Sequence, residues 1–245
     1  MASSEKVALI TGGAGDIGLA VSAELASQKI QILLLDIAHQ KSRLVDAMQK
    51  MPKTNVGIKS FEADVRVTAE VEQVFQQIDK LDYLINCAGI IRRAQLRDLS
   101  DEDLDATLDI NLKGTFKTCR AAARLMSQQK SGSIINIASG LAAHPGALYG
   151  AYGASKAGVI ALSKALALEL APFNVTVNCV APGMVDTRFI DEWTEEQRAA
   201  YLAKIPLNRL ATAQDVANIV SFLCSEQANY LTGQVIWLNG GAYMP

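Results

Sequence analysis

The chain has 245 residues, half of them hydrophobic and a fifth charged, which is enough for a substantial buried core. A net charge of −2 and a pI near 5.8 exclude the basic footprint of a nucleic-acid or anionic-membrane binder. Four scattered cysteines (Cys87, Cys119, Cys179, Cys224) and only two histidines (His39, His144) exclude a disulfide framework and a His-based metal site, so no metal is expected.

Met1–Lys6 leads into only four apolar residues before Thr11-Gly12, too short for the apolar region of a signal peptide. No apolar run reaches the roughly 18 residues of a membrane span, and a cytoplasmic location is expected. Val7–Ile10 reads as a first strand, followed by glycines and a helix over Ile17–Gln28. Ile30–Asp36, Val56–Glu62, Tyr83–Asn86, Ser133–Ala138, Val175–Val180 and Val235–Leu238 continue the strands. Helices are predicted near 40–50, 68–79, 102–127, 150–171 and 212–225. Continuous apolar strands separated by helices predict an α/β fold, a doubly wound parallel sheet with helices on both faces. No linker divides the chain, so residues 1–245 are expected to form one domain. Its least regular stretch, 184–207, is expected as a substrate lid or as an ordinary surface helix.

Thr11-Gly12-Gly13-Ala14-Gly15-Asp16-Ile17-Gly18 joins the first strand to the first helix. Small residues there let the backbone turn tightly and approach a pyrophosphate, whose charge a helix N-terminus favours. The second strand ends in Asp36, placed to accept hydrogen bonds from adenosine ribose hydroxyls and to repel a 2′-phosphate. Gly15 and Ile37 bring no positive charge, and Lys41 and Arg43 lie farther along. NAD is therefore the expected cofactor.

Tyr152 and Lys156, four positions apart, share one helix face. An ammonium beside a phenol favours the ionised phenol, whose free pKa is about 10. Ser139, earlier in the chain, supplies a hydroxyl to hold a substrate oxygen. The three form a proton-transfer site for an alcohol or a carbonyl.

The chain resembles the short-chain dehydrogenase/reductase family over nearly its full length. The glycine loop is similar to that family's T-G-x-x-x-G-x-G motif. Asp64-Val65 resembles its adenine-holding pair, and Asn86-Cys87-Ala88-Gly89 its N-N-A-G segment. Asn111, Ser139, Tyr152 and Lys156 match its catalytic tetrad in order and spacing. Pro182-Gly183, with Val185 and Thr187, resembles the loop that contacts the nicotinamide carboxamide. The resemblance implies a Rossmann fold that binds cofactor through Gly12, Gly15, Asp16, Ile17, Gly18, Asp36, Ile37, Asp64, Val65, Asn86, Ala88 and Gly89, together with Tyr152, Lys156 and the Pro182–Thr187 loop. Two residues depart from the pattern. Asp16 replaces the middle glycine and is expected to cap the helix while facing away from the phosphates. Cys87 replaces an asparagine and is expected to be a small buried hydrophobe.

The resemblance also implies roles. Tyr152 is the acid in reduction and the base in oxidation. Lys156 lowers the tyrosine pKa and holds the nicotinamide ribose. Ser139 orients the substrate oxygen, and Asn111 anchors a water linking Lys156 to solvent. The small-molecule alcohol or ketone is expected to meet Arg92, Ser139, Leu141, His144, Tyr149, Met184 and Trp193, with Ile91, Gly140 and Phe189 nearby.

Two subfamilies compete for the substrate. Ile90-Ile91-Arg92-Arg93 resembles sugar-acid dehydrogenases, and the expectation leans to a sugar, polyol or sugar-acid hydroxyl. The tail from Gln197 to Met244 resembles 3-oxoacyl-[acyl carrier protein] reductases, which usually use NADPH. An NAD-binding sensor or scaffold without chemistry is the alternative of another class. The helix 150–171 is small and apolar almost all round, and the family forms tetramers through it and the preceding helix, so a homotetramer with 222 symmetry is expected. Lys113, Lys117, Arg120 and Arg124 on that preceding helix read as a solvated stripe.

Overall fold

The computed structural model describes residues 6–50, 57–190 and 194–244, except the side chains of Lys41, Ala47, Lys50 and Phe189. Seven strands form one parallel sheet in the order β3-β2-β1-β4-β5-β6-β7. They are β1 (Val7–Thr11), β2 (Gln31–Asp36), β3 (Ile58–Glu62), β4 (Tyr83–Asn86), β5 (Gly132–Ile137), β6 (Val175–Pro182) and β7 (Val235–Leu238). The expected doubly wound sheet is present. The winding reverses between β1 and β4, which opens a crevice at their carboxyl ends.

Apolar residues on both faces of each inner strand explain the continuous hydrophobic runs. Ala8, Ile10, Ile32, Leu34 and Ile85 pack under α1 (Asp16–Ser27) and α8 (Ala213–Leu223), through Val21, Leu25, Val216 and Val220. Their alternates Leu9, Leu33, Leu35, Leu84 and Ile134 face α5 (Thr115–Gln129) and α6 (Gly150–Leu170), through Ala122, Met126, Leu166 and Leu170. Burying one such leucine or isoleucine contributes about 2 kcal/mol. Substituting alanine for Leu9, which has no exposed surface, is a direct way to break the layer.

The continuous helix expected over 102–127 is instead three pieces. α4 (Asp101–Leu108), α5 and a π-helical turn, Asp109–Gly114, replace it. The extra residue of a π turn re-aims a side chain, and Asn111 sits in this one. Gly114 makes room beneath it, since a Cβ there would stand 2.7 Å from Val65 Cγ2. The helix expected over 68–79 ends early, as α3 (Thr68–Phe75). The helix near 40–50 is α2 (Lys41–Lys50), and Val56 lies outside the described residues.

Within 184–207, α7 (Glu195–Leu202) starts at a capping box between Thr194 and Gln197. Ile190, Ile205 and Leu210, with Met184, Tyr201 and Leu202, form a small core of their own. Among the described residues no helix is long and apolar enough to cross a membrane.

Candidate active site

The glycine loop leaves β1 through Gly12, whose φ is +64° and whose Cβ would stand 2.7 Å from the Ala88 backbone nitrogen. Only glycine suits both the left-handed turn and that approach. Gly18 is equally confined, because a Cβ there would meet the Gly12 carbonyl at 2.4 Å. Gly15 occupies the cap position of α1 and donates its N–H to Gly12 O at 3.0 Å. Ile17 follows in the first turn, so α1 presents its N-terminus to the crevice. Asp36 closes the loop from β2. Its Oδ2 accepts the Ala14 N–H and its Oδ1 the Ile37 N–H, both at 2.9 Å. It therefore fixes the loop directly.

Asp16 does not cap the helix as expected. Its carboxylate accepts from the Arg188 backbone N–H and Nε at 3.2 Å and from Arg43 Nη2 at 3.3 Å. Arg43 thus reaches the loop, against the expectation that it lies too far along. Asp64 is held by Arg66 at 2.7 Å. Burial opposes ionisation there, but the Arg66 hydrogen bonds and charge win and lower its carboxyl pKa. Val65 is buried beneath the π turn.

Asn86 is a strut under the cleft. Its Nδ2 donates to Asn136 Oδ1 at 2.8 Å, and its Oδ1 accepts from Thr118 Oγ1 at 2.7 Å. Thr11 Oγ1 in turn accepts from the Ala88 N–H at 3.3 Å, locking the glycine loop to the β4 exit. Cys87 is half-buried where a buried hydrophobe was expected, and desolvation pushes its thiol up to about 12, which keeps it neutral.

Ser139, just past β5, has an extended backbone and accepts the Leu141 N–H on Oγ at 3.2 Å. The Tyr152 phenol pKa lies above its ordinary value because burial outweighs the opposing effect of the nearby Ser139 hydroxyl. The Lys156 ammonium lies 5.9 Å from the Tyr152 ring centroid and donates to Ile137 O at 2.7 Å. Burial lowers its own pKa to about 8. The net shift of the phenol is upward, since burial dominates it, and Lys156 stands over the ring face.

Asn111 clamps Ile90 from both sides, accepting its N–H at 2.8 Å and donating to its C=O at 2.9 Å. A third bond reaches Ser155 Oγ at 3.0 Å. The Asn111 side chain is therefore spent on the loop after β4. Gly89 completes the group, since a Cβ there would stand 3.2 Å from Asn111 Oδ1 and 3.5 Å from Lys156 Nζ.

A family model described as enoyl-(acyl carrier protein) reductase matches residues 12–243. The 3-oxoacyl-[acyl-carrier-protein] reductase FabG of Thermotoga maritima is 38% identical over 240 residues, covering 96% of this chain and 97% of the relative. The (2S)-[(R)-hydroxy(phenyl)methyl]succinyl-CoA dehydrogenase subunit BbsD of Thauera aromatica is 36% identical, covering 98% of each. The crystal structure of gox2181 superposes with a TM-score of 0.91 at 31% identity, over 98% of this chain and 96% of that one. The chain belongs to the short-chain dehydrogenase/reductase family. It is an oxidoreductase of that type, and the family binds a nicotinamide cofactor.

Around the tetrad of this short-chain dehydrogenase/reductase, the residues expected to meet substrate divide. Arg92 pairs with Asp103 on α4 at 3.1 Å. Tyr149 precedes α6 with Arg93 over its ring at 5.9 Å. His144 stacks on Tyr243 at 5.6 Å, and Tyr243 meets Trp237 edge-on at 5.5 Å. The C-terminal tail thus touches the 140–149 loop at His144, a contact that no local pattern announces. Leu141 borders an apolar cavity of about 720 Å³ with Leu96 and Ala154, on a face of α6 turned away from Tyr152. Met184 packs into the small core beside α7. Trp193 lies outside the described residues.

Pro182 and Gly183 end β6 against β7, where Gly183 N–H donates to Leu238 O at 2.8 Å. Val185 is buried and bridged to Ala211, and Thr187 Oγ1 donates to Val185 O at 3.3 Å. The basic row along the π turn and α5 is not simply solvated. Lys113 pairs with Asp109 at 2.7 Å, Arg124 with Glu72 at 3.6 Å, Lys117 donates to Arg66 O, and Arg120 lies 5.3 Å from the Phe116 ring centroid.

Proposed function

We propose that the chain interconverts a 3-oxoacyl and a 3-hydroxyacyl thioester with NAD(H), using Tyr152 as the proton-transfer group. The observation that carries the reaction is the grouping of half-buried Tyr152 with buried Ser139 and Lys156 at the carboxyl edge of the sheet. The substrate class is supported by the relatives named as a 3-oxoacyl-[acyl-carrier-protein] reductase and as a [hydroxy(phenyl)methyl]succinyl-CoA dehydrogenase subunit, at 36–38% identity across the chain. This moves the emphasis away from the sugar hydroxyl expected from residues 90–93.

The residues fit a nicotinamide dinucleotide. Gly89 keeps open the space before the Lys156 ammonium, one of whose three protons is directed to Ile137 O. The remaining two suit ribose hydroxyls. Asp36, with each oxygen already holding one backbone N–H, retains lone pairs for the adenosine ribose and repels a 2′-phosphate. When bound, the nicotinamide supplies or accepts the hydride. Ser139 holds the substrate oxygen, and Tyr152 gives that oxygen its proton in reduction and removes it in oxidation. The described residues of the 184–207 stretch would wall this space.

A second reading, oxidation of a sugar-acid hydroxyl, is favoured by Arg92 on the segment leaving β4. Its guanidinium would exchange Asp103 for a substrate carboxylate. Initial rates with NADH and NADPH against 3-oxoacyl thioesters, and with NAD against gluconate-type acids, separate the readings. The highest kcat/KM is expected for NADH with a 3-oxoacyl thioester. Turnover confined to sugar acids would replace the first reading with the second.

The assembly we propose is a homotetramer. Phe116, Leu168 and Phe173 expose apolar surface on the α5–α6 face. Phe222 on α8 and Tyr230 beyond it expose more at the other end of the fold. Two separate apolar faces, each meeting its own copy across a dyad, are enough to build 222 symmetry, whose third dyad follows from the other two.

A further inference from the structure

Asp16 follows β1 and Arg188 follows β6, and in the sheet β4 and β5 lie between those strands. Strands three places apart are separated by about 14 Å. The two side chains meet because their loops lean toward each other across the carboxyl ends of β4 and β5. Three contacts join them: the Arg188 backbone N–H to Oδ2, and Nε to both carboxylate oxygens, each at 3.2 Å. Arg43 binds the same carboxylate from α2 at 3.3 Å.

The Arg188 end is itself anchored. The turn Arg188–Ile190 closes through Ile190 N–H to Thr187 O at 3.0 Å. Asp186 N–H donates to Ala211 O at 2.7 Å, and the Asp186 carboxylate takes Arg198 of α7 at 2.8 Å. Ion pairs therefore run from the glycine loop to the turn after β6 and on to α7. The crevice that receives a dinucleotide in a doubly wound sheet lies beneath the first of them.

We propose that the Asp16–Arg188 pair is a strap across the cofactor crevice that must open before the dinucleotide leaves. Asp16 is then a positioning residue that controls cofactor release, which accounts for an acidic side chain where the family pattern has glycine. The inference rests on the nicotinamide-dependent reading above.

A simpler electrostatic role predicts something different. A carboxylate beside a diphosphate weakens binding by repulsion, so neutralising it would slow release, while neutralising Arg188 would speed it. A strap predicts the same sign for both. The test is stopped-flow release of NADH from the full chain, comparing Asp16→Asn, Arg188→Gln and the double variant. Each single change should speed release by about threefold to tenfold, in keeping with a partly exposed ion pair plus a backbone hydrogen bond. The double variant should be no faster than the faster single one. Raising the salt from 0.05 to about 0.5 M should speed release from the wild type more than from the variants. Arg188→Lys, which keeps charge but loses the two-oxygen contact, should fall between. Slower release from Asp16→Asn, or unchanged release from both single variants, would overturn the strap while leaving the functional reading intact. A wild type that binds neither NADH nor NADPH would overturn both.

Discussion

The Lys156 ammonium lies 5.9 Å from the centroid of the Tyr152 ring, and its hydrogen bond goes to the carbonyl of Ile137 at 2.7 Å. The lysine is thus pinned to the end of β5 and acts on the tyrosine through the ring face. Burial lowers its pKa from 10.5 to about 8. The unfolded chain binds more protons than the folded one between those values, so stability rises with pH across that window. Below pH 8 both states are protonated and the full cost of burying the charge is present.

Lys156→Met should therefore raise the melting temperature at pH 7, by the equivalent of about 1–3 kcal/mol, and lower kcat by about 100-fold or more. The stability gain should shrink as pH rises from 8 and vanish near 10.5. Thermal melts at pH 7, 9 and 10.5 check it. In the wild type, reductive kcat/KM should fall as pH rises through about 8, where the ammonium loses its charge.

Asp36 holds the glycine loop and, in the proposed reading, accepts the hydroxyls of the adenosine ribose. Asp36→Ser should lower kcat/KM with NADH by about tenfold and raise it with NADPH, since it removes both a ribose acceptor and the charge opposing a 2′-phosphate. Paired initial-rate measurements read the ratio. An unchanged NADH/NADPH ratio would count against the assignment.

Asn111 satisfies both backbone groups of Ile90. Replacing it with alanine leaves buried polar groups unpaired, at a cost of about 1–3 kcal/mol. A fall of several degrees in melting temperature is expected for a chain of this size, with a loss of activity because Ile90 leads the segment that passes Gly89 and Lys156. Calorimetry and kcat together test whether Asn111 acts through this loop.

Leu168 is 80% exposed on the α5–α6 face. Leu168→Glu should convert a tetramer to a dimer in sedimentation at micromolar concentration while leaving the monomer folded. A wild-type monomer under the same conditions would contradict the assembly.

The strands were legible because each inner strand buries both faces, so Leu9 and Ile10 are equally apolar while facing different layers. The grouping of Tyr152, Lys156 and Ser139 was legible because the first two share a helix and the third follows the end of β5. The π turn was not, because its cause is a hydrogen-bond clamp between Asn111 and the distant backbone of Ile90. Nor was the direction of the Tyr152 shift, which depends on burial and not on spacing. Asp16 was visible as a departure from the family pattern, yet its partner lies 172 residues away and is reached only through the path of the loop after β6. His144 and Tyr243 meet for the same kind of reason, through a tail that returns to the loop after β5.

The most direct test of the central claim is single-turnover hydride transfer from NADH to a 3-oxoacyl thioester by the wild type and by Tyr152→Phe. The variant is expected to bind NADH with nearly unchanged affinity and to lose at least 100-fold in the transfer rate, the usual range for removing a general acid. Retention of more than about a tenth of the wild-type rate would contradict the role of Tyr152.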